Sequence, residues 1–105
     1  MNTFQENLAG LPALDGINRL ELIDGSGNTV ATIANQAGSQ GSLRVYRQLA
    51  DRHGAITPAA ALEGLALYAE HTEDARANPG KHPNIDRLID VIANDARLGV
   101  RIVPA

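Results

Sequence analysis

Apolar positions recur along this chain with two different periods, and the changes of period divide it into elements. Near the start, Thr3, Phe4, Gln5 and Glu6 form a capping box, in which the Thr hydroxyl and the Glu carboxylate satisfy free backbone donors reciprocally. A short helix follows to about Ala9 with Phe4 and Leu8 on one face, and Gly10 and Pro12 end it. Residues 19–24 alternate, Leu20 and Leu22 against Arg19, Glu21 and Ile23, and residues 29–34 are rich in β-branched side chains. Gly25-Ser26-Gly27-Asn28 lies between them, so the two runs predict a β-hairpin.

The period then lengthens. After a polar loop over 35–41, Ser42 is the expected N-cap of a helix that places Leu43, Tyr46, Leu49, Ala50 and His53 on one face and stops at Gly54. Thr57-Pro58 starts the next helix, with Thr as cap and Pro in the first turn. Ala61, Leu62, Leu65, Ala66 and Ala69 are expected to form its apolar face, and Gly64 inside it marks close packing against another backbone. Asn78-Pro79-Gly80 and His82-Pro83 break the chain. A further helix opens near Asn84, read as its cap, with Ile85, Leu88, Ile89 and Ile92 in a stripe. Residues 98–103 alternate again as a last strand, with Pro104 at its end. The pattern predicts an α+β domain spanning 1–105: an antiparallel sheet of about three strands, an N-terminal hairpin plus a C-terminal strand, packed against three to four helices.

Composition narrows the function classes. A chain of 105 residues that is 44% hydrophobic and 20% charged has enough apolar surface for one core. Phe4, Tyr46 and Tyr68 are the only aromatic residues besides histidine and the net charge is −3. Nucleic-acid binding is therefore not expected, because it relies on cationic and stacking surfaces. The chain has no cysteine, which removes disulfides, thiolate metal sites and Cys nucleophiles. A secretory signal and a membrane-length apolar run are not expected, which makes the cytoplasm the expected location.

Two segments carry candidate chemistry. In residues 70–86, Glu70 and Asp74 share a helix face, His71 lies one turn from Asp74, and His82 and Asp86 flank the start of the next helix. A turn at Asn78-Pro79-Gly80 would bring His71, Asp74, His82 and Asp86 together, and imidazole with carboxylate is a donor set that divalent metals accept. The spacing matches no metal signature. Each residue also has a structural role open to it: Asp86 at a helix N-terminus, Glu70, Glu73 and Asp74 on a solvated face, His82 bonded to backbone. The second segment is the 35–47 loop and helix, where Gly41, Ser42 and Arg44 would meet an anion at a helix N-terminus. It lacks Walker spacing and a third glycine. The 24–35 stretch begins like a calcium loop, but Thr29 and Asn35 replace the required glycine and glutamate. Triads drawn from Ser39, Ser42 or Thr72 with His53 or His71 lack a nucleophile elbow.

Residues 67–88 (LYAEHTEDARANPGKHPNIDRL), with 41–46 (GSLRVY), resemble a small proteobacterial family known as a domain of unknown function, and the likeness extends over most of the chain. The resemblance implies a bacterial, stand-alone, one-domain protein, and brings no site residue, cofactor or partner with it.

Three readings follow. The first is an interaction or regulatory module without catalytic activity, a homo-oligomer or the partner of another protein. Its sheet would expose Ile23, Ile33 and Val103 opposite Leu22 and Ile102. The second is a metal-binding protein or metal-dependent enzyme using the 70–86 segment. No cofactor is predicted beyond that divalent metal. The third is a small anion or ligand binder at the 35–47 segment.

Overall fold

A computed structural model describes residues 2–105. The element order is α1 (Phe4–Ala9), β1 (Ile17–Ile23), β2 (Thr29–Ala34), α2 (Gln40–His53), α3 (Pro58–Tyr68), α4 (Glu70–Ala77), α5 (Pro83–Ala93) and β3 (Gly99–Pro104). The three strands form one antiparallel sheet in the order β2-β1-β3, so the fold is α+β.

The expected local signals operate. Thr3 and Glu6 make the capping box on α1. Asp24 Oδ1 accepts from the backbone N–H of Ser26 and Asn28, which closes the hairpin turn. Thr57 Oγ1 accepts from Ala60 N at 3.1 Å, and Pro58 follows it in the first turn of α3. Gly54 ends α2 in the left-handed region at φ 76°, where a side chain would be strained.

Register assigns the faces of the sheet. Leu20 pairs with Ile33 and Ile102, and Leu22 pairs with Ala31 and Val100, so these six side chains share the face toward the helices. Ile33 therefore lies in the core, 2% exposed, and not on the outer face expected for it. Ile23 and Val103 do lie on the outer face, with Arg19, Glu21 and Arg101. Glu21 accepts from Arg19 along its own strand and from Arg101 across on β3, and these donated hydrogen bonds, Arg19 foremost, hold its carboxyl below the ordinary value. Val30 is skipped where the register shifts and stands 51% exposed.

Helices α2, α3 and α5 bury Leu43, Val45, Tyr46 and Leu49, Ala60, Ala61 and Leu65, and Ile85, Leu88 and Val91. The face of α3 is turned from the expected one: Leu62 is 61% exposed and Ala66 is exposed, while Ala60, Gly64 and Tyr68 are buried. Gly64 sets that orientation. A Cβ there would come within 2.7 Å of Leu88 Cδ1 and 2.8 Å of Leu49 Cδ1. Glycine thus lets α3 lie against α2 and α5 at once; the close packing expected there is met, but by the side chains of Leu88 and Leu49 rather than by another backbone.

Between the start at Thr57-Pro58 and the break at Asn78-Pro79-Gly80 the chain forms two helices, α3 and α4. Ala69 adopts φ 51°, ψ −119°, and its N–H turns back to Ala66 O. That leaves the Leu65 carbonyl without a helical partner, and Thr72 Oγ1 donates to it at 2.6 Å. The break has external anchors as well: Asn7 Nδ2 donates to Leu67 O, and Glu70 Oε1 accepts from Phe4 N at 2.8 Å. Helix α1 is docked at the α3–α4 joint by these bonds.

Candidate functional site

The two candidate segments meet at one cleft of about 490 Å³. One wall is the start of α2, Gln40, Gly41 and Ser42; the opposite wall is Lys81, His82 and the start of α5. Phe4 and Leu8 of α1 close one side, and Tyr68 and His71 from either side of the Ala69 break complete it. The volume falls in the range of small-molecule sites, roughly 300–1,000 Å³.

Each wall has an identifiable local cause. Helix α2 begins at Gln40, a turn earlier than expected, because Ser39 rather than Ser42 precedes it, and the Ser39 hydroxyl donates back to Ala34 O at 2.6 Å. Ser42 is not the cap; its Oγ accepts from the Tyr68 hydroxyl at 2.7 Å. Gly41 lies against the Phe4 ring: a Cβ there would stand 3.2 Å from Phe4 Cζ, a contact tight enough that the ring would have to shift by a few tenths of an ångström. Helix α5 begins at Pro83, with His82 at the N-cap making no side-chain capping bond. Asn84 is inside the first turn rather than the cap. Its carbonyl accepts from the Tyr46 hydroxyl at 2.5 Å and its Oδ1 from Arg87 at 2.8 Å. Burial pushes the Tyr46 hydroxyl up to about 12 and raises that of Tyr68 as well, so both remain donors at neutral pH.

The sequence-predicted residues divide by role. Asp74 is the hub of the 78–82 loop: Oδ2 takes His82 Nε2 at 2.7 Å and Lys81 Nζ at 2.9 Å, and Oδ1 takes Asn78 Nδ2 at 2.9 Å. These donors, His82 first and Lys81 next, bring the Asp74 carboxyl down to about 2. Asp86 accepts from Gly80 N at 2.9 Å and stabilises the same loop from the α5 side. Glu70 turns away to α1, and the Phe4 N–H it accepts lowers its carboxyl. His71 is brought to His82, ring centroids 5.7 Å apart, and also meets Phe4 at 5.0 Å with the two rings nearly perpendicular. Arg44 donates to Leu8 O at 3.5 Å, and Gly41 and Ser42 line the cleft where it does not.

Of the expected metal-type set, His71, Asp74 and His82 are neighbours and Asp86 and Glu70 are not with them. Among the described residues no group of three His, Asp or Glu side chains is arranged to hold a metal ion. Sequence reading missed Phe4, Leu8, Gln40, Tyr68, Lys81 and Asn84 as cleft residues. The one signal available was the cluster of rings at 68–71, since the approach of α1 is a tertiary event.

The cleft has a consistent electrical character. Among the described residues, the lining side chains of acidic or basic type other than Tyr68 are His71, Lys81 and His82, all basic. No described carboxylate lines the cleft: Asp74 is paired with His82 and Lys81, and Asp86 and Glu70 are bonded to backbone N–H groups. The first turns of α2 and α5 both open on the cleft, neither covered by a side-chain cap, so their partial positive charge adds to the same sign.

No curated protein and no solved structure matches the chain. A family model matches residues 4–102, a span that includes every cleft residue named above. By that match the chain belongs to the bacterial family described as an uncharacterized protein conserved in bacteria (DUF2322).

Proposed function

We propose that this chain is a binding module for a small anionic molecule, held in the cleft between the starts of α2 and α5. The observation that carries the reading is the sign of the lining. In a chain with net charge −3 and 12 acidic residues, the lining side chains of acidic or basic type other than Tyr68 are His71, Lys81 and His82. Ser42, Gln40 and the free first-turn N–H groups of α2 supply neutral donors beside them. The site is prearranged: Asp74 and Asp86 hold the 78–82 loop, and Tyr46 and Arg87 hold Asn84. Such fixed donors bind without an added ordering cost. Titrating 15N-labelled protein with small carboxylates and phosphates at neutral pH tests it. Shifts are expected at the amides of Gly41, Ser42, Lys81 and Asn84, weakened in Lys81→Gln. An anion panel that leaves those amides unmoved overturns the reading.

A second reading is association of two copies through the outer face of the sheet. It is favoured by the placement of Ile23 and Val103 there and by β2 and β3 as open edges, with Val30 exposed on β2. Light scattering over a concentration series is expected to show a dimer that Val103→Lys dissociates. A monomer at all concentrations removes it. As for the expected cytoplasmic location, no described helix is long and apolar enough to cross a membrane.

A further inference from the structure

The ring-bearing residues of this chain are few and they are not scattered. It has one Phe, two Tyr, three His and no Trp. Four of those six rings, Phe4, Tyr68, His71 and His82, line the one cleft. They are in mutual contact: Phe4 stacks on Tyr68 at 5.3 Å and 20°, Phe4 and His71 meet nearly perpendicular at 5.0 Å and 85°, and His82 lies 5.7 Å from His71. A fifth, Tyr46, stands directly behind, bonded to Asn84 O.

Tyr68 belongs to the core and Phe4 packs against it, but Phe4, His71 and His82 are only half-buried and keep part of their surface on the cleft. Half-buried rings at a cleft leave π surface for an occupant.

From this we infer that the occupant of the cleft is a planar aromatic ring bearing an anionic group. The inference rests on the anion-binding reading and adds the ring to it. The acidic group meets Lys81 and the donors at the start of α2, while the ring lies along Phe4 and the imidazoles of His71 and His82. Aromatic contact and charge then act on one ligand from adjoining walls. An inorganic anion meets half of the site, and a neutral ring meets the other half.

Three probes separate the halves: phenyl phosphate, inorganic phosphate and phenol, each titrated into 15N-labelled protein at pH 7 and constant ionic strength. Phenyl phosphate is expected to bind about tenfold or more tighter than either fragment, the scale of one ring-on-ring contact added to a charge contact. Its shifts should include residues of both walls, Lys81 and Gly41 with Phe4 and His71. In Phe4→Leu the advantage over inorganic phosphate should shrink while phosphate affinity stays the same. If inorganic phosphate binds as tightly as phenyl phosphate, the ring is overturned and the anion site stands. If phenol binds as tightly, the anionic group is overturned. If none of the three moves the cleft amides, the inference falls together with the reading beneath it. The wild-type comparison decides these outcomes even where Phe4→Leu does not fold.

Discussion

The hydroxyl of Thr72 donates to the Leu65 carbonyl oxygen at 2.6 Å across the joint between α3 and α4. Both groups are buried, and Leu65 O has no helical N–H because Ala69 N bonds to Ala66 O instead. Thr72→Val keeps the shape and removes the donor, leaving a buried carbonyl unpaired. The expected loss is roughly 1–3 kcal/mol in chemical denaturation. Thr72→Ser retains the donor and is expected to lose less. Equal losses in both would show that packing, not the hydrogen bond, matters at this position.

Ala69 is the residue that turns the chain there, at φ 51° and ψ −119°, a region that side chains rarely occupy. Its neighbours impose it: Glu70 is held by Phe4 N and Leu67 O by Asn7. Ala69→Gly should therefore relieve strain of about 1–3 kcal/mol, partly offset by the greater freedom of glycine in the unfolded chain. A net gain of about 1 kcal/mol is expected, read as a higher melting temperature. A lower one would mean that the backbone here is unstrained.

This joint also shows where sequence reading stops. Alanine is the best helix former, so nothing local at Ala69 predicts a break. The break comes from α1, more than sixty residues earlier, packing against it. The same cause hides half of the cleft, because Phe4, Gly41 and Lys81 become neighbours only when α1, α2 and the 78–82 loop converge. What depends on adjacent residues was legible: the Thr3–Glu6 box, the Asp24–Asn28 turn, the Thr57-Pro58 start and the Gly54 stop. The face of α3 was not, because Gly64 and not Leu62 meets the core, and glycine carries no hydrophobic signal.

Gly64 carries a prediction of opposite sign to the usual rule for helices. Replacing a mid-helix glycine by alanine ordinarily stabilises by about 1 kcal/mol. Here the new methyl would press on Leu88 and Leu49, both fully buried, and overpacking of that kind costs roughly 1–3 kcal/mol. Gly64→Ala is expected to be destabilising by about 1 kcal/mol and Gly64→Val by more. A stabilised Gly64→Ala protein would show that the two leucines yield without cost.

Acid should loosen the 78–82 loop through Asp74. Its carboxyl sits at about 2 in the fold, held there by His82 and Lys81, against an ordinary value of 3.8. A folded-state value below the unfolded one means that the ionised form favours the fold. The contribution is complete above about pH 4 and is lost as the pH falls from about 4 to about 2. Asp74→Asn lacks this contribution at every pH. The stability gap between wild type and variant, measured by denaturant titration, is expected to be constant near neutrality and to narrow below about pH 4. Glu6, Glu21 and Glu70 are lowered in the same direction, so both proteins still weaken in acid, and the difference between them isolates Asp74. The group is solvent-accessible, so added salt should reduce the gap. A gap that ignores pH would mean that Asp74 acts through its hydrogen-bond shape alone and not through its charge.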